Sequence, residues 1–118
     1  MTEKYIPNGT IFISRRAIAT IAAQSALESY GIVGLAPKNL AANLANVLVK
    51  DPMHGVDIAY DGINIEIDLY LIVEYGLRIT TVAQSAIDSV RFHIEKAIGV
   101  PVTRVDVHVR GLRISDTD

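Results

Sequence analysis

The stretch Ile65–Gly76, IEIDLYLIVEYG, decides the reading of this chain. Ile65, Ile67, Leu69, Leu71 and Val73 fall on alternate positions, with Glu66, Asp68, Tyr70, Ile72 and Glu74 between them. A period of two belongs to a strand, where residues two apart share a face at roughly 6.8 Å. One face would be aliphatic and covered, the other wet. The three carboxylates raise a second possibility, a metal or acid–base site. That chemistry needs a desolvated cleft or a neighbouring charge to lift one pKa, and nothing adjacent in sequence supplies either.

Working outward, Val56, Ile58 and Tyr60 alternate as a preceding strand, and Asp61-Gly62 predicts a two-residue hairpin turn with Ile63 opening the long strand. After Gly76 the period becomes helical. Ala83, Ile87, Val90, Ile94 and Ala97 line one stripe of a helix over about residues 80–98, which Gly99 and Pro101 end. Phe92 falls opposite that stripe. A final strand over about 102–114 places Thr103, Val105, Val107 and Val109 on one face and Arg104, Asp106, His108 and Arg110 on the other. If the two long strands share a sheet, their outward faces carry complementary charge.

Toward the N-terminus, residues 10–13 read as a short strand, and Ser14 as the N-cap of an alanine-rich helix over about 15–29 with Ile18, Ile21, Ala22 and Ser25 on one face. Gly31 suits the left-handed residue after that helix. In the short strand 32–35, Gly34 permits close approach. Pro37 opens a short helix carrying Leu40, Leu44, Val47 and Leu48, which Asp51-Pro52 stops. The fold class expected is α+β in two layers: one mixed sheet with two longer helices and one short helix on one face. The whole chain, 1–118, reads as a single domain with an ordered core over about 9–114.

Composition narrows the function classes. The 118 residues are 50% hydrophobic and 20% charged, with no cysteine and a formal charge of −2. Thiol nucleophiles, disulfides and cysteine zinc sites are thereby removed, and a reducing, cytoplasmic setting is expected. No apolar run approaches the ~20 residues that span a bilayer, so direct membrane insertion is not expected. No basic run exceeds Arg15-Arg16, and acidic residues on the outward sheet face argue against nucleic acid.

Asp106 and His108 share a strand face and could be two metal ligands, but a third is missing. His54 and His93 fit no catalytic spacing. The segment 31–39, GIVGLAPKN, lacks the GK[ST] ending of a phosphate loop, and Pro37 removes a donor. No GxSxG is present. No catalytic residue, cofactor or metal is assigned.

With the elements placed, TIFISRRAIATIAAQSALESYGIVGLAPKN, the hairpin with DLYLIVEYG, and RVDVHVRGLRI together resemble the alkaline shock protein family of Gram-positive bacteria, nearest its YloU-like branch. The resemblance spans about residues 9–114, and it implies a small cytoplasmic protein tied to cell-envelope stress and homeostasis, often held near the membrane by a partner. It carries no catalytic residues. It also implies a link to fatty-acid or phospholipid metabolism, which makes a regulatory or ligand-sensing protein the first alternative; a small nucleic-acid-binding domain is the second. The main expectation is a non-enzymatic interaction protein that self-associates or docks on a protein partner, itself sometimes membrane-tethered. Apolar residues on otherwise polar faces, Tyr70, Ile72 and Phe92, are the expected contact residues.

Overall fold

The computed structural model describes residues 11–38 and 48–114. The elements run α1 (Arg15–Leu27), β1 (Ile32–Leu35), α2 (Pro52–Gly55), β2 (Val56–Tyr60), β3 (Ile65–Glu74), α3 (Ile79–Ile98) and β4 (Val102–Arg113). The stretch IEIDLYLIVE is the centre of a four-stranded mixed sheet. β4 runs parallel along its whole length, from Ile65↔Val102 to Glu74↔Arg113. That occupies one edge of β3, so β1 and β2 share the other in series. β2 pairs antiparallel with its first half (Val56↔Leu69 to Tyr60↔Ile65) and β1 with its second (Ile32↔Val73, Leu35↔Leu71).

The alternation holds on the inner face. Ile65, Ile67, Leu69, Leu71 and Val73 are all buried, in one cluster with Ile18, Ala22 and Ala26 of α1 and Val82, Ala86, Val90 and Ile94 of α3. Each such aliphatic side chain contributes roughly 1.5–3 kcal/mol on burial. Both long helices therefore cover the same face. The thin side of α1 is real: Ile18, Ala19, Ala22, Ala23, Ser25 and Ala26 are buried, and Ser25 satisfies its hydroxyl by donating to Ile21 O at 2.8 Å.

The buried row of α3 is displaced from the expected stripe: Val82, Ala86, Val90 and Ile94 are buried, Ala83 and Ile87 half-buried and Ala97 exposed. The flanking contacts explain the rotation. Ser89 faces α1, its hydroxyl donating to Ser25 O at 3.4 Å, whereas Arg91 faces β4, donating to Val102 O at 2.8 Å. The row between those flanks is centred on Val90, and Ala97 lies on the α1 side. Gly99, at φ 84°, closes the helix as expected.

Three local expectations are corrected. Residues 11–13 form no strand, although Ser14 does cap α1, accepting from Ala17 N at 3.0 Å. The hairpin turn is a four-residue loop rather than two. The Asp61 carboxylate accepts from both Ile63 N (2.9 Å) and Asn64 N (2.8 Å), which takes those donors out of the ladder, so β3 opens at Ile65 and Ile63 lies in solvent. Asp51-Pro52 starts a helix instead of stopping one: Asp51 caps Met53 N, and Pro52 opens the single turn of α2. Residues 39–47 of the expected helix after Pro37 lie outside the described residues, and its expected last residues, 48–50, are not helical: Val49 forms a bridge with Leu35.

Candidate functional site

On the outer face of the sheet, period two on β3 presents Glu66, Asp68 and Tyr70, and β4 answers with Arg104, Asp106, His108 and Arg110. The register sets Glu66 beside Arg104 and Tyr70 beside His108. Arg104 lies at the centre of the network. Its guanidinium donates to Asp68 Oδ1 (3.3 Å), to Glu66 Oε1 (3.3 Å) and to Asp106 Oδ2. His108 Nε2 meets Asp68 Oδ1 at 2.9 Å. The His108 ring stacks on Tyr70, centroids 4.6 Å apart and 11° from parallel, and the Arg110 guanidinium lies 5.0 Å from the Tyr70 ring centre. Glu74 is at the far end of the strand, opposite Arg113 in register. The complementary charge expected of the two strands is thus realised as direct contacts.

These contacts shift the titrations away from neutrality. Burial raises the Asp68 carboxyl, but hydrogen bonds from His108 and then Arg104 outweigh it, and the net shift is downward. Tyr70 is raised, first by burial and then by the charges of Asp68 and Asp57. Arg104 is raised by its hydrogen bonds to Asp68 and Asp106. An acid–base pair working near neutral pH needs shifts of the opposite sense, a carboxyl raised or a phenol lowered.

Asp106 and His108, the candidate ligand pair, are turned to different partners, Arg104 and Asp68. His93 Nδ1 lies 2.8 Å from Ser89 O on its own helix. Among the described residues no cluster of three or more His, Asp or Glu is arranged to hold a metal ion.

The expected contact residues separate. Tyr70 is half-buried beneath Arg110 and against His108. Phe92 is exposed, at 57%, with Lys96 Nζ 5.6 Å from its ring centre. Ile72 does not present free surface: it is 0% exposed. Its antiparallel partner is Gly34, and residues opposed in this way share a face. A Cβ on Gly34 would come within 2.8 Å of Leu48 Cδ2, so Leu48 lies over this side of the sheet. The glycine leaves room for a covering side chain, and Ile72 is enclosed there.

A surface that periodicity does not show lies at one end of the domain. There the end of α1, the start of β1, the end of β3, the start of α3 and the end of β4 converge. Glu74 N donates to Gly31 O and Tyr75 N to Arg113 O, each at 2.9 Å, and a Cβ on Gly31 would touch Leu77 and Val82. Tyr30, Tyr75, Ile79, Leu112 and Ile114 are exposed around this junction, Tyr30 at 76% and Ile114 at 75%. An open depression of about 300 Å³ sits within it, lined by Tyr30, Leu77, Arg78, Thr81, Val82 and Ser85. Each of these exposed apolar residues is at an element end, where local pattern carries no face.

Among the described residues, no helix is long and apolar enough to cross a membrane. The chain is 37% identical over 110 residues to the uncharacterized protein YloU of Bacillus subtilis, covering 92% of each. It is 30% identical over 109 residues to the uncharacterized protein Spy1614 of Streptococcus pyogenes, covering 91% of this chain and 90% of that one. Among solved structures, the copper form of the MamM CTD superposes with a TM-score of 0.53 at 15% identity, over 88% of this chain and 92% of that one, a likeness of fold alone. The family model of the alkaline shock proteins, described by a "cell envelope-related function", matches residues 3–114. The chain belongs to the alkaline shock protein family, and its role is envelope-associated.

Proposed function

We propose that this chain serves the envelope as a non-enzymatic interaction protein, in homeostasis or stress, docking on a protein partner through the apolar end around Tyr30, Tyr75 and Ile114. The observation that carries this is the division of its surface. Glu66, Asp68, Arg104, Asp106 and His108 on the outer sheet face spend hydrogen bonds on one another. Five exposed apolar side chains, Tyr30, Tyr75, Ile79, Leu112 and Ile114, instead gather where five element ends meet. Aromatic residues within a polar rim are what protein interfaces select, and exposed apolar clusters mark them. The basic side chain of Arg78 borders the depression and suits an apolar segment with an acidic flank. Cytoplasmic placement, with the membrane reached through that partner, follows the same reading.

The test is a paired substitution of exposed residues, Tyr75→Asp with Ile114→Asp, in the native host. The expected result is loss of the protein from the envelope fraction, with thermal stability kept within a few degrees. Unchanged retention of the folded variant at the envelope would refute this docking surface.

A further inference from the structure

We propose that the outer edge of β4 pairs antiparallel with the same edge of a second copy, centred on Val107, so that two four-stranded sheets become one. This names a partner for the interaction-protein reading above and rests on it.

β4 is a twelve-residue strand that pairs with β3 only, among the described residues. Strands usually run to about 5–6 residues, and a long edge with a free row of N–H and C=O groups is a template for another chain. The start of this edge is closed. Val102 N donates to Glu95 Oε2 at 2.9 Å, and Val102 O accepts from Arg91 at 2.8 Å. No other α3 side chain bonds the β4 backbone in this way among the described residues, so the clamp stops at the first residue. Beyond it, register shifts at Thr103 and Arg110 bound a regular run, 104–109. On its inner face Val105 is buried, but Val107 and Val109, packed against the core at the sheet edge, are only half-buried. A neighbouring strand bearing the same valines would complete that cover.

Symmetry and charge select the register. In a two-fold antiparallel pair opposed residues share a face, so the axis passes through a residue and the numbers opposed sum to a constant. An axis at Asp106 sets that carboxylate against itself. Axes at Val105 or His108 carry the ladder across one of the bulges. An axis at Val107 keeps the ladder inside the regular run: Val105 faces Val109 of the second copy, Val107 faces Val107, and Asp106 faces His108. A carboxylate then lies opposite an imidazole rather than a like charge. Arg104 and Arg110, opposed where the run meets the Arg110 bulge, are both drawn toward β3, Arg104 by Glu66 and Asp68 and Arg110 by the Tyr70 ring. A contact of one strand pair is at the small end of specific interfaces, so pairing depends on concentration.

Two measurements on the whole chain test this. In the unsubstituted protein, amide exchange across 104–109 slows as concentration rises, while the β2 edge is unaffected. Because the chain has no cysteine, single thiols can be placed at will. Under mild oxidation V107C links to itself about tenfold faster than A59C on the opposite edge, because opposed Cβ atoms at an axis lie within disulfide reach. Equal linking rates, or exchange that ignores concentration, overturn the pairing. So does protection of 104–109 that arises only on adding envelope extract, which would give the edge to a different chain. Retention of the Tyr75→Asp, Ile114→Asp variant at the envelope is read separately, so failure here leaves the docking end standing and the reverse also holds.

Discussion

Asp68→Asn replaces the carboxylate that joins His108 and Arg104 with a neutral group of the same shape. The side chain is 22% exposed, between an open surface pair and a buried one. Exposed pairs contribute roughly 0.2–1 kcal/mol, and breaking a buried pair costs about 3–5 kcal/mol. Glu66 and Asp106 remain to hold Arg104, so no cation is orphaned and the loss belongs near the lower limit. The expected cost is about 1–2 kcal/mol near neutral pH, a fall in Tm of roughly 5–10 °C for a domain of this size.

The pH dependence gives the sharper check. Burial raises the Asp68 carboxyl, but the His108 and Arg104 hydrogen bonds more than reverse that, so the folded pKa lies below the unfolded value of about 3.9. A carboxyl depressed on folding stabilises fully above its unfolded pKa and loses that contribution as pH falls through the folded one. Urea unfolding of both proteins should therefore show a gap near neutrality that closes in strong acid, where Asp68 is itself protonated. A cycle with His108→Gln should return a coupling of about 0.5–1 kcal/mol. Equal stability at neutral pH would mean that the network is solvated and carries no energy. A gap that persists undiminished in acid would mean that shape, not charge, is responsible.

Ile67→Ala, at a fully buried position facing both helices, should cost about 2–4 kcal/mol by thermal or urea unfolding, whereas Phe92→Ala should stay within roughly 0.5 kcal/mol; the reverse order would mean that α3 is rotated further than described. Gly55→Ala places a Cβ 2.8 Å from Leu35 Cβ and 3.2 Å from Ala36 O, atoms fixed by the backbone, and should cost about 1–3 kcal/mol. Gly34→Ala meets only the mobile end of Leu48 and should cost less in the same assay; an equal or larger cost would mean that Leu48 is held fixed over the sheet.

Elements whose faces are set by their own period were legible in the sequence. The β3 alternation predicted its buried residues, and Gly99 predicted the end of α3. The opposite signs on the outward faces of β3 and β4 were legible too, although only register shows that Arg104 gathers three carboxylates. The failures arose where a distant residue settles a local choice. Ile72 sits on the wet parity, and the fact that covers it belongs to Gly34 and Leu48, joined to it only by the sheet. Gly34 had signalled close approach but not what would approach. The hairpin failed for a smaller reason: Asp-Gly suggests a two-residue turn, yet the Asp61 carboxylate competes for the donors that such a turn would leave to the ladder.

The same reasoning explains why the apolar end was missed while Tyr70 and Phe92 were singled out. A period identifies an odd residue only in mid-element, where neighbours define a face to violate. Tyr30, Tyr75, Ile79 and Ile114 have no such frame, and each alone is an ordinary exposed residue. They become a surface because β4 returns parallel to β3, which brings both strand ends to the side where α1 finishes and α3 begins. An antiparallel β4 would end at the opposite pole and carry Leu112 and Ile114 away from Tyr75. The exposed apolar end is therefore a consequence of strand direction, and strand direction is set by the crossover through α3, whose Arg91 and Glu95 fix the first residue of β4 in place.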